Sequence, residues 1–211
     1  MPDTQIIPTR NLGRSEDGCT YLHTNPLDQG FGDSVEPDST LIAWAGWYDQ
    51  AADPALGVFP SDHRLWNEGL DLLRQQIDAL GPVLEEQNAR LLLRPALGLV
   101  LSDPHSIWAL FEKLPDGPSG VLVDPVAMLT PEMMEHAEDH LPRMFDKLGN
   151  LERCEAVILS GAAVHNDERL THCPLDWSRP FDQTLLSCWR ESVFAQRGVY
   201  LMSDACLSQI A

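Results

Sequence analysis

The side chains best suited to chemistry gather late in the chain. His165, Asp167, His172 and Cys173 lie in one stretch between Gly161 and Pro180, with Cys154 upstream. Imidazole, carboxylate and thiolate are all zinc ligands, so this stretch holds the atoms of a mixed zinc site. Its spacing matches no zinc motif, and His- and Asp-rich loops are common on protein surfaces. The surface reading is preferred, and no metal is expected. His136 and His140 stand one helical turn apart, but Glu135 and Asp139 beside them fit an exposed face better. Ser160-Gly161-Ala162-Ala163 follows an apolar run, so its backbone N–H groups could receive a phosphate, although simple turn chemistry explains the same residues. Trp47, just past another apolar run, could line a sugar pocket or pack under the N-terminal arm of residues 1–39. No Gly-x-Ser-x-Gly elbow, P-loop or Gly-x-Gly-x-x-Gly fingerprint is present, and no cofactor is expected.

The elements that would position these groups alternate. Thr40–Gly46 is almost continuously apolar, as a strand covered on both faces would be. A helix follows, with Leu65, Trp66, Leu70, Leu73, Ile77 and Leu80 at helical spacing and an interruption at Gly81-Pro82. Arg90–Pro95 reads as the next strand, Ser102 to Lys113 as a helix, and Gly120–Asp124 as a third strand ending in a carboxylate. Thr130-Pro131-Glu132 starts a helix, with Thr as N-cap and Pro in the first turn, and Pro142 is expected to kink it. Cys154–Leu159 is the fourth strand. A loop from Gly161 to Pro180 leads to a helix starting near Asp182, and Val199–Met202 is the fifth strand. Five strands separated by four helices predict a parallel sheet built of βαβ units. Residues 1–39 have few periodic apolar runs and many turn formers. They are expected to be an irregular N-terminal arm with one short strand near Cys19–His23, ahead of an α/β domain over 40–211.

Composition narrows the function. The chain has 211 residues and a formal net charge of −18, with 32 acidic and 14 basic side chains. Such a chain repels phosphate backbones and anionic lipid, which excludes nucleic acid and membrane surfaces as expected partners. No stretch approaches the ~20 apolar residues of a membrane span, and Met1–Arg10 lacks the apolar core of a signal peptide. A cytoplasmic location is expected. The five cysteines are widely spaced without a Cys-x-x-Cys, and they are read as reduced thiols.

Four stretches carry a family resemblance. Leu41–Gly46, residues 67–95 closing in Leu-Leu-Leu-Arg-Pro, Gly120–Ala127 (Gly-Val-Leu-Val-Asp-Pro-Val-Ala), and the pair 151–161 with 198–203 resemble the later strands and helices of the xylose-isomerase-like barrels. That family includes sugar-phosphate isomerases and epimerases. The resemblance implies an incomplete (β/α) barrel, or an open parallel sheet of about five strands, because a whole barrel has eight strands over typically about 250 residues. In the family, strand ends present carboxylates and histidines to a divalent cation that polarises the substrate oxygen.

Carried over position by position, the resemblance implies a depleted ligand set. Arg94 stands where a Glu is expected, and a guanidinium cannot ligate a cation. Asp124 keeps its carboxylate, but Ala127 replaces a histidine. Ile158 and Gly161 occupy further ligand positions, and the last strand offers Met202 and Ser203 in place of a Glu. Arg94 and Asp124 are expected either to pair where carboxylate and metal would have met, or to be separate solvated charges. Together with Trp47, Ser160 and His165 they make the candidate pocket. The expectation is a barrel-derived, non-catalytic binding or assembly protein with a sugar-like ligand in view. The alternative is a metal-dependent sugar or sugar-phosphate isomerase or epimerase. Unpaired sheet edges call for cover, so a homo-oligomer or a dedicated protein partner is expected.

Overall fold

The computed structural model describes residues 4–6, 19–22, 24–28, 30–49, 51–52, 54, 58–59, 66–114, 116–166 and 169–201. In chain order the strands and α-helices are β1 (Thr4–Ile6), β2 (Cys19–Leu22), β3 (Thr40–Trp44), α1 (Trp66–Glu86), β4 (Arg90–Arg94), α2 (Pro104–Phe111), β5 (Ser119–Val123), α3 (Pro131–Glu135), α4 (Ala137–Gly149), β6 (Cys154–Leu159), β7 (Gly161–Asn166), β8 (Arg169–Cys173), α5 (Pro180–Glu191) and β9 (Gly198–Leu201). The five expected strands are present as β3, β4, β5, β6 and β9. They belong to a parallel α/β architecture with helices between successive strands. The chain divides into two compact units, one formed by residues 10–122 and the other by 1–9 with 123–211.

In the 10–122 unit the strand order is β2-β3-β4-β5, and every pairing is parallel. β2 is the short strand expected within the arm. The interior residues of β3, β4 and β5 are buried, which explains their unbroken apolar runs: with both faces covered, alternation has no solvent side to serve. Leu41, Leu73, Leu91, Leu93, Leu101, Ile107 and Leu110 have at most 1% of their surface exposed. α1 runs unbroken through Gly81-Pro82, contrary to the expected interruption. Pro82 removes one backbone donor, and the apolar face at Leu73, Ile77, Leu80 and Leu84 is buried on both sides of it, so packing offsets the local loss. Asp103 caps α2 by accepting from the His105 and Ser106 N–H groups, and Ser106 Oγ completes a capping box.

The second unit pairs β1, β9 and β6 in parallel. The helix expected from Pro131 breaks at His136 (φ −115°, ψ 37°), which separates α3 from α4, while Pro142 lies within α4. At the end of α4, Arg197 donates to the carbonyls of Gly149, Leu151 and Cys154 at 2.9, 3.2 and 2.6 Å. One guanidinium thus satisfies acceptors that a helix end leaves over. It also lies over the Phe194 ring, which packs edge-on against Phe145.

The expected loop after residue 160 is in part an antiparallel hairpin, β7 with β8. The stretch lacks a continuous apolar run because β8 is only half-buried. Its base is tied down by Arg179, which donates to the Ala162 and Pro174 carbonyls and to Cys173 Sγ. Arg179 also faces the fully buried Asp182 carboxylate at 3.4 Å. A Cβ on Gly161 would lie 2.5 Å from the Pro174 carbonyl oxygen and 2.9 Å from Asp182 Oδ2. Gly161→Ala is expected to cost roughly 2 kcal/mol in chemical denaturation, as overpacking typically does; an unchanged midpoint would show that the hairpin base gives way. Burial raises the Asp182 carboxyl above its ordinary value, against the lowering effect of the Asp176 N–H and Arg179. The folded state therefore binds this proton more readily than the unfolded chain, and Asp182 disfavours folding increasingly as pH rises through its titration. The stability of Asp182→Asn relative to the parent should accordingly rise from mildly acidic to neutral pH. A flat or falling difference in denaturation measurements would contradict the sign.

Candidate functional site

Strand ends are where a parallel α/β fold concentrates function, since loops leave there with few packing duties. In the 123–211 unit, Asp124 follows β5 directly and Ser160 follows β6 directly. Both are fully buried. His172 of β8 joins them: its Nε2 lies 3.2 Å from Asp124 Oδ2, and its Nδ1 lies 2.7 Å from Ser160 Oγ. A carboxylate only accepts, so Nε2 carries the proton shared with Asp124. With a neutral ring, Nδ1 then accepts from the Ser160 hydroxyl. The other carboxylate oxygen, Asp124 Oδ1, accepts from the Ala127 N–H at 3.1 Å. The turn after β5 thus closes on its own carboxylate.

The order Ser–His–Asp is that of acyl-transfer relays. Here Ser160 has no exposed surface, and the chain continues from it straight into β7 rather than through a strained turn into a helix. That hydroxyl is closed to solvent in this arrangement. The chain Ser160–His172–Asp124 is a hydrogen-bonded lock whose two ends are buried and whose imidazole is partly exposed.

The zinc reading of the same stretch finds its ligands committed elsewhere. His172 holds Asp124 and Ser160, and Cys173 accepts from Arg179 at 2.9 Å. Burial pushes the Cys154 thiol up to about 12, so it stays protonated. Among the described residues, no three His, Cys, Asp or Glu side chains are placed to hold an ion. The His165 side chain, Asp167, Met202 and Ser203 lie outside the described residues. Ala127 and Ile158, at two ligand positions of the resemblance, offer no donor side chain, and Ile158 is fully buried.

In the 10–122 unit, Trp44 closes β3 and Arg94 closes β4 as cross-strand partners. The Arg94 guanidinium lies 4.2 Å from the Trp44 ring centroid, and both residues are buried. Gly46 then turns the chain at φ 79°, a conformation that favours glycine, and a Cβ there would meet Leu27 at 3.1 Å. The turn delivers Trp47 to Asn25, whose side chain donates to the Trp47 carbonyl at 2.6 Å and accepts from its N–H at 3.2 Å. Trp47 is buried, with its backbone held by Asn25.

Of the expected pocket residues, Asp124 and Ser160 are thus brought together. Trp47 and Arg94 fall in the other compact unit. The organising role of His172 and the stack on Trp44 were missed. His172 could have been found by reading Gly161–Asn166 and Arg169–Cys173 as a hairpin, which sets His172 opposite Ala162 and returns it towards Ser160.

No family model and no curated protein matches the chain. Solved structures do. A D-tagatose 3-epimerase-like protein matches with a TM-score of 0.55 at 13% identity, over 97% of this chain and 71% of that one. Endonuclease IV from Thermus thermophilus matches at 0.52 and 15%, over 78% of this chain and 54% of that one. A D-psicose 3-epimerase matches at 0.51 and 13%, over 77% and 49%. The chain therefore spans about half the length of the latter two. At these identities the likeness concerns the fold alone, that of part of a parallel (β/α) barrel.

The lock has an energetic signature. Asp124→Ala should destabilise by about 3 kcal/mol and Ser160→Ala by about 1 kcal/mol, because the first removes a charged acceptor and the second a neutral partner. Since both act on His172, the double variant should lose less than the sum by about 0.5 kcal/mol or more. Strict additivity in denaturant titrations would mean that the two bonds do not share the ring.

Proposed function

We propose that the chain is a barrel-derived binding or assembly protein that has given up metal-dependent chemistry at its strand ends. One observation carries this reading. Asp124, the single ligand position that the resemblance leaves in place, is fully buried and spends its carboxylate on His172 and the Ala127 N–H. A metal-holding carboxylate must turn its oxygens toward the ion, with two or more further donors converging on it. Arg94, Ala127 and Ile158 at neighbouring positions supply none. Among the described residues β1 and β2 are end strands, and an assembly role draws support from the tendency of sheet edges to pair with another strand or subunit. A second copy of the chain or a dedicated protein partner would cover them.

The competing reading is a metal-dependent isomerase or epimerase acting on a sugar or sugar phosphate. It is favoured by the sugar 3-epimerase among the solved structures with this fold. Fold likeness does not carry chemistry by itself. Calorimetric titration with Mn²⁺ and with Zn²⁺, together with turnover assays on ketoses and aldoses, separates the two. The expected outcome is no stoichiometric uptake and no conversion. Tight one-to-one binding with metal-dependent conversion would overturn the binding-protein reading. Light scattering is expected to report an oligomer, and a clean monomer at high concentration would count against self-assembly.

A further inference from the structure

Within the 123–211 unit, α4 and the end of α5 leave a groove between them, with a volume of about 350 Å³. Pro142, Phe145 and Asp146 line it from α4, and Cys188, Glu191 and Val193 from the other side. Val193 follows α5 in a short 3-10 helix and is 47% exposed. A Cβ on Gly149 would meet Val193 Cγ2 at 3.1 Å, so the missing side chain lets the valine close in on α4. Burial, with Glu191 beside it, raises the Cys188 thiol, which therefore adds a neutral surface. The charges on the lining are of one sign. Asp146 and Glu191 stand on opposite walls, and both are exposed. Ser187 Oγ donates to Glu191 Oε1 at 2.9 Å and so orients that carboxylate. No described lysine or arginine lines the groove. Arg197 reaches the Gly149 carbonyl but is not part of the lining, and it donates to the Leu151 and Cys154 carbonyls as well.

We propose that this groove docks a basic amphipathic helix of a partner protein. An apolar lining takes apolar anchors, and a carboxylate on each wall takes a cation beside them. The dimensions fit a helix. From Pro142 to Asn150, the lining residues furthest apart on α4, the helix axis runs about 12 Å. Anchors at i and i+7 of a docked helix span about 11 Å, which is the spacing used when a helix lies in a groove. A second copy of this chain is a poor occupant. With 32 acidic against 14 basic side chains, it brings like charge to an acidic rim. The net charge of −18 acts in the same direction at longer range, since it draws in a basic partner and turns a second copy away.

The proposal deepens the binding-protein reading and rests on it. The test is fluorescence anisotropy of the full chain at about 0.15 M salt, where distant charges are screened. The probe is a fluorescein-labelled peptide in which the heptad Leu-Lys-Lys-Leu-Leu-Lys-Leu occurs twice. One control peptide carries Glu for every Lys, and another of equal length is all Lys. Saturable one-to-one binding is expected for the probe, with both controls at least tenfold weaker. Val193→Asp puts a charge on the exposed apolar wall and should weaken the probe roughly tenfold. Asp146→Lys with Glu191→Lys should weaken it further and should bind the Glu peptide better than the parent does. Asp78→Lys with Glu85→Lys makes the same charge change on exposed positions of α1 and should leave the probe's affinity as it was. The proposal is overturned if the probe does not saturate, if either control peptide binds as well, or if Val193→Asp binds like the parent. It is also overturned if the α1 variant loses as much affinity as the groove variant. Light scattering covers the other occupant: if Val193→Asp turns an oligomeric parent into a monomer, the groove holds a second copy and the proposal falls. Metal-dependent sugar turnover would overturn the binding-protein reading and leave the peptide titration standing. A failed peptide titration removes only the groove.

Discussion

A carboxylate without exposed surface has to be answered from inside the protein, and at Asp124 that requirement organises the strand ends around it. Removing a charged group from water is costly enough that its oxygens must find donors. One donor is local: the turn after β5 folds back so that the Ala127 N–H reaches Oδ1. The other comes from far along the chain, since His172 reaches Oδ2 only because β8 returns antiparallel to β7. The hairpin in turn depends on Gly161, where a side chain would collide with the Pro174 carbonyl, and on Arg179 gathering the carbonyls at the hairpin base. Ser160 and the tautomer of His172 follow from the same demand.

That dependence explains what could be read from the sequence. The five buried strands are nearly uninterrupted apolar runs, and the caps at Asp103 and Thr130 are local signals with local effects. Both kinds are visible one residue at a time. The hairpin was hidden because its partly exposed strands mix Val, His, Thr and Arg, and neither alternation nor apolarity stands out. A kink is expected at Pro142 because proline is the conspicuous breaker, whereas the backbone turns aside earlier, at His136. Asp124, Ser160 and Arg94 were individually legible as strand-end groups. Their partners were not, since His172 and Trp44 reach them through sheet register, and register is a property of two segments together.

The fold leaves chemistry open in a particular way. Solved proteins of this architecture include a sugar 3-epimerase and an endonuclease, so the strand ends, and not the sheet beneath them, decide what is bound. In this chain those ends carry side chains already occupied with one another. Arg94 lies on an indole, Asp124 on an imidazole, and Trp47 is held through its backbone by Asn25. Polar groups committed in this manner make the strand ends rigid before any ligand arrives.

The pairing of β1 with β9 has a kinetic side. Thr4 lies beside Val199, so this ladder joins segments separated by nearly the whole described chain, whereas the 10–122 unit is built from one continuous stretch. Closing so long a loop carries a large entropic cost before any contact repays it, and contacts of high sequence separation slow folding. On a ribosome, the 10–122 stretch is complete in sequence while β9 has yet to be made. Until then the segment around Thr4–Ile6 has no parallel partner, and its backbone donors and acceptors must be kept from the wrong strand.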